Sequence, residues 1–103
     1  MRTAIHDLDR IQCQAREDRI EITRSARWYG MAVGRDADAI LEVLYAARPE
    51  HFQKSMPATR EPGVTQDVYR VPVDGDEFYL KVTDEGVFGA RIVSLKWRRK
   101  LPG

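Results

Sequence analysis

The sequence predicts an α+β domain in which N-terminal helices pack on one face of a C-terminal antiparallel sheet. Three observations carry this. Before residue 48, apolar residues recur twice at helical spacing. After residue 64 they alternate with period two in runs parted by short turn signals. The chain has 103 residues, enough for one modest core and no more. Residues 1–103 therefore read as a single domain whose helical and strand halves cover each other.

The first helix is expected over 4–16, where Ile5, Leu8, Ile11 and Ala15 form a stripe among polar residues. Residues 19–23 alternate and contain β-branched side chains, which reads as a short strand. Residues 25–31 could form a helical turn that Gly30 stops. A clearer helix opens near Asp36 or Asp38, where acids suit the positive end of the helix dipole. Its apolar stripe is Ala37, Ile40, Leu41, Leu44 and Ala47, with Val43 and Tyr45 at the edges. Pro49 ends it and can start a short turn reaching Lys54. Residues 57–63 read as a loop. Three strands follow, over 64–71, 77–83 and 91–97, joined by turns at 72–75 and 84–89. Phe78, Leu80, Val82, Val93 and Leu95 are assigned to the core face. Tyr79, Lys81, Thr83, Ile92, Ser94 and Lys96 fall on the other.

Composition excludes several classes. No stretch approaches the ~18 apolar residues of a membrane span, and acids and bases crowd the first ten positions, unlike a signal peptide. The single cysteine, Cys13, rules out an intrachain disulfide and a cysteine-based zinc cage. It is expected as a small core or boundary residue on the first helix, two turns after His6. A reduced, cytoplasmic protein without cofactor or metal is the expectation. Charge is uneven: residues 1–90 carry a net −4, and residues 91–103 a net +5 with no acid. A positive end of this kind attracts a polyanion.

No phosphate loop, dinucleotide fingerprint, nucleophile elbow or CxxC pair is present. What remains is a cationic and polar set in the C-terminal half: Lys54, Gln66, Tyr79, Lys81, Arg91 and Lys96, followed by Arg98, Arg99 and Lys100. Groups on one sheet face converge, since strands lie ~4.8 Å apart. Lysines neutralise charge developing on a phosphodiester, and tyrosine can move a proton. RNA brings its own nucleophile, the 2′-hydroxyl.

Four blocks in order, Phe52-Gln53-Lys54-Ser55-Met56, Gln66-Asp67-Val68-Tyr69-Arg70, Tyr79-Leu80-Lys81-Val82-Thr83 and Ile92-Val93-Ser94-Leu95-Lys96, resemble the MqsR family of bacterial toxins. Thr23-Arg24-Ser25-Ala26 resembles a further piece. The resemblance covers most of residues 8–97. It implies a fold similar to RelE-type ribonucleases, metal-independent cleavage of single-stranded mRNA, and inhibition by a cognate MqsA-like antitoxin. It carries catalytic roles to Lys54, Gln66, Tyr79 and Lys96: the lysines stabilise the phosphorane, Gln66 positions a phosphate or base, and Tyr79 assists proton transfer. Lys81, Arg91, Arg98 and Arg99 are expected to bind RNA. This sequence departs from the family pattern at Gln53 and Thr65, which stand where the family has aromatics able to stack on a base. It departs also in its 84–89 turn and in Trp97 after Lys96. The alternative expectation is a non-catalytic RNA- or partner-binding module of the same fold, acting with its antitoxin in transcriptional control. Trp28 and Tyr29 are expected to pack between helices, and Trp97 to join the core or a partner.

Overall fold

A computed structural model describes residues 3–86 and 89–98. Three helices, α1 (Leu8–Arg16), α2 (Arg24–Ala32) and α3 (Ala37–Ala46), precede or flank a five-stranded sheet. Its strands are β1 (Glu21–Ile22), β2 (Phe52–Pro57), β3 (Thr65–Val73), β4 (Asp76–Gly86) and β5 (Gly89–Arg98). Their spatial order is β1-β5-β4-β3-β2. Only β1 runs parallel to its neighbour, so the sheet is mixed at one edge and antiparallel elsewhere. The expected α+β architecture is present, with two strands more than the predicted three-strand meander.

Each helix starts where a side chain can satisfy free amides. Asp7, Thr23 and Asp36 accept from the backbone N–H three residues on. The Asp7 cap explains why α1 begins at Leu8 rather than near residue 4. Ile5 then lies outside the helix and is exposed, and His6 is buried in the bend that precedes the cap. Gly30 does not stop α2. It sits inside it, where a Cβ would come within 2.6 Å of Ile40 Cδ1 and 2.7 Å of the Arg35 carbonyl. The bare backbone lets α2 pack tightly on the start of α3.

Two further expectations are corrected. Residues 52–57 are the edge strand β2, so Lys54 stands on a strand; the proline turn ends at His51. The loop is the stretch 58–64. The turn between β3 and β4 is only Asp74-Gly75, both with positive φ, the backbone of a two-residue hairpin.

The helices cover one sheet face. Tyr69, Val71, Phe78, Leu80, Val82, Ile92 and Leu95 meet Leu8, Ile11, Ile40, Val43 and Leu44 there, all nearly inaccessible. Val43 is central rather than marginal. Gln12 ties the layers, donating to the Leu44 and Ala47 carbonyls at the end of α3. Strict alternation in β5 fails at one point. Val82 pairs with Ile92 while Lys81 pairs with Ser94, leaving Val93 as a bulge. Ile92 turns into the core and Val93 out of it, the reverse of the predicted assignment. Cys13 is exposed, not a core residue. Trp28 is 71% exposed and does not pack between helices. Trp97 is partly exposed at the rim, and Tyr29 accepts from its backbone N–H.

Candidate nucleic-acid interface

Residues directly opposite across paired strands share a face. On the face away from the helices, Lys54 faces Val68, Val68 faces Lys81, and Lys81 faces Ser94. In the next row Arg70 faces Tyr79, and Tyr79 faces Lys96. Glu77 faces Arg98 beyond them. Toward the other end Met56 faces Gln66, and Thr83 faces Arg91. The structure thus gathers Lys54, Gln66, Tyr79, Lys81, Arg91, Lys96 and Arg98 on one surface. Arg99 lies outside the described residues. Tyr79 is on β4, one of the two strands between those of Lys54 and Lys96, with β2 and β5 roughly 14 Å apart at three strand spacings.

The members differ in how far their charges are already matched. Lys54 and Lys96 are exposed and Lys81 is half-buried. None has a carboxylate within ion-pair distance among the described residues. Lys96 lies against the Tyr29 ring, 6.0 Å from its centroid. Arg98 donates to the Tyr79 phenol oxygen at 2.8 Å. A guanidinium cannot accept, so that phenol keeps its own proton available for another partner. Arg91 is different: it is buried and held by Glu21 at 3.1 Å and Glu61 at 2.6 Å. Burial pulls its pKa down, but the hydrogen bonds it donates to Glu61 and Glu21 outweigh this and the net shift is upward. Arg70, which the sequence reading left out of the site, is paired with Glu77 at 2.9 Å.

Beside these rows lies a cleft of about 500 Å³. One wall is the start of α2 at Thr23, Arg24 and Ser25; the other is the 58–64 loop. Gln66, Lys81, Arg91 and Ser94 line the sheet side. Thr23 holds this corner together: it caps α2 and donates to the Val93 carbonyl at 2.7 Å. Glu61 spans the cleft from the loop to Arg91. The sequence reading missed Thr23, Arg24, Glu61 and Ser94 as parts of the site. The Thr23-to-Ala26 block was the available signal for the first two.

One end of the sheet is braced by a buried polar knot. Asp67 accepts from the Ile5 and His6 amides and from Ser55. The His6 ring contacts Asp84 at 2.6 Å and the Thr65 carbonyl at 2.8 Å. Glu85 accepts from the Thr65 amide and hydroxyl, which holds its carboxyl below the ordinary value. Thr65, where the family pattern has an aromatic, is thus built into the brace.

The model of a protein family described as "Motility quorum-sensing regulator, toxin of MqsA" matches residues 3–97. The chain belongs to the MqsR toxin family. The match spans every helix and strand described above apart from Arg98, the last residue of β5, and so covers Lys54, Lys81, Lys96 and Tyr79. As an MqsR toxin the chain is one partner of a toxin–antitoxin system, and the family description names MqsA as the antitoxin. No curated protein matches the chain significantly. No described helix is long and apolar enough to cross a membrane.

Proposed function

We propose that this MqsR-family toxin is an endoribonuclease that cuts single-stranded mRNA in the cytoplasm and so blocks translation, without a metal ion. The observation that carries it is the set of cations unmatched among the described residues, Lys54, Lys81 and Lys96, in two adjacent rows of the sheet face that also presents the Tyr79 phenol. A helix-free polar face with unpaired lysines suits a polyanion, and a phenol between two ammonium groups suits a phosphodiester.

In this reading the 2′-hydroxyl oxygen attacks the adjacent phosphorus and the bond to the 5′-oxygen breaks. The products are a 2′,3′-cyclic phosphate and a 5′-hydroxyl. Lys54 and Lys96 neutralise the charge on the phosphorane. Tyr79 gives its proton to the departing 5′-oxygen, and the Arg98 guanidinium steadies the phenolate that forms. The 2′-hydroxyl proton passes to solvent, which also reprotonates Tyr79. Gln66, Lys81 and Arg91 touch the RNA beyond the scissile bond. An MqsA-like antitoxin restrains the activity.

The test is purified protein on single-stranded RNA in EDTA, with both new ends mapped. Wild type leaves 2′,3′-cyclic phosphate ends. Lys54→Ala with Lys96→Ala lowers the rate at least about 100-fold, with an unchanged melting temperature because both side chains are exposed. Intact RNA for wild type, or undiminished cutting by the double variant, refutes the reading.

A further inference from the structure

Gln66 is 3% exposed, on the sheet face that the helices do not cover. Its Oε1 is buried without any hydrogen-bond partner, and its side chain makes no hydrogen bond with another described residue. Every other buried side-chain polar atom among the described residues finds a partner or solvent. A buried amide left unmatched is costly to the fold, and such exceptions mark sites where something else supplies the bond. This one lines the 500 Å³ cleft, a volume in the range of small-ligand pockets.

We infer that the cleft between the start of α2 and the 58–64 loop is a pocket for one unstacked nucleobase of the RNA, whose polar edge is read by the Gln66 amide. The inference rests on the endoribonuclease reading for its substrate class and deepens it, assigning Gln66 to base selection. The chemistry of the orphaned atom narrows the ligands. Oε1 is an acceptor and needs a donor. A phosphodiester at neutral pH has no hydrogen to give, whereas nucleobases carry amino or ring N–H groups and ribose carries its 2′-hydroxyl; the shape of the cleft favours the base. The walls suit a flat ring. The β-bulge turns Val93 out of the core and into the cleft, opposite Ala58 and Val64, so apolar surface flanks the amide. Single-stranded RNA is read in this way, with a base splayed into a pocket and bonded along its edge.

Gln66→Leu tests this, because it keeps the volume and removes the unmatched amide. The substrate is a pool of random single-stranded RNA, with cut sites sequenced. Wild type prefers one base at one position near the cut. The variant loses at least about tenfold in that preference, the scale of one bidentate amide–base contact, as cutting slows most at the preferred sites. It melts at or above the wild-type temperature, since a buried orphan has gone. If Gln66→Leu slows every site equally and keeps the wild-type profile, Gln66 holds the 2′-hydroxyl or phosphate, and the inference falls while the nuclease reading stands. A second measurement does not need cutting. The Gln66 side-chain amide signals are followed by NMR as adenosine, guanosine, cytidine, uridine or ribose 5-phosphate is added to wild type. A shift with at least one nucleoside and none with ribose 5-phosphate supports the pocket, even if wild type cuts no RNA. Equal shifts with all five, or none with any, overturn it.

Discussion

The two faces of the sheet are made by the same strands from alternate residues, yet they differ in what completes them. On the helix-covered face, Leu80 is wholly inaccessible and sits between Tyr69 and Leu95. One residue on, Lys81 faces outward between Val68 and Ser94 with no ion partner among the described residues. The first face is satisfied by the chain itself through apolar burial. The second carries cations and an amide oxygen unmatched among the described residues, and in the reading proposed above its complement is RNA. Stability belongs to one face and recognition to the other, and single substitutions can separate them.

The largest separation is expected at that adjacent pair. Leu80→Ala costs about 2–5 kcal/mol through lost burial and a cavity, read as a lower midpoint in urea. Lys81→Ala stays within about 0.5 kcal/mol of wild type while weakening RNA binding and flattening its salt dependence. Equal stability losses at both positions would erase the distinction between the faces.

A middle-sized effect tests how dry the covered face is. Burial, with Asp67 and Asp7 nearby, pushes the Tyr69 phenol up to about 12 from its ordinary 10.0. A raised pKa stabilises the fold fully below the unfolded value and loses that contribution as pH rises through the folded one. Stability should therefore fall between pH 10 and 12, by about 3 kcal/mol at roughly 1.4 kcal/mol per unit. Tyr69→Phe should remove that fall in alkaline melts. An unchanged alkaline limb would mean that the phenol is not the group responsible.

The smallest effect sharpens the outer face. Glu61 is about half exposed and places a carboxylate on Arg91 across the cleft. Glu61→Gln removes one negative charge from the mouth and frees part of the guanidinium. RNA binding should tighten by no more than about fivefold, since Glu61 is open to solvent and Arg91 keeps Glu21, and a solvent-screened pair is worth about 1 kcal/mol or less. A titration of labelled single-stranded RNA measures it. Weaker binding would show that Glu61 holds the loop in the binding shape rather than competing with phosphate.

Much of this was legible in the residues. The α3 stripe, the alternation in β4 and the Asp74-Gly75 turn follow from local chemistry, because a helix or hairpin is specified by neighbours in sequence. The convergence of Tyr79 with Lys96 was readable for the same reason, since a short connection sets the pairing. The edge strand β2 was not, because Phe52–Pro57 has no hairpin partner close by and is held only by pairing with β3. The bulge at Val93 was hidden too: alternation in sequence continues through it, and only Thr23, bonding to the Val93 carbonyl from 70 residues away, marks the break.

By itself, the sequence determined the α+β class, the acidic start of α3, the family membership that its ordered blocks announced, and the basic bias of the C-terminal segment. These depend on periodicity, capping chemistry and residue type, all local properties. Only the tertiary structure decided that Lys54 stands on a strand, that Arg91 is matched by Glu21 and Glu61, and that the Gln66 Oε1 is buried without a partner among the described residues. Those are outcomes of long-range pairing: whether a charge is matched or an amide satisfied depends on which distant segment folds against it.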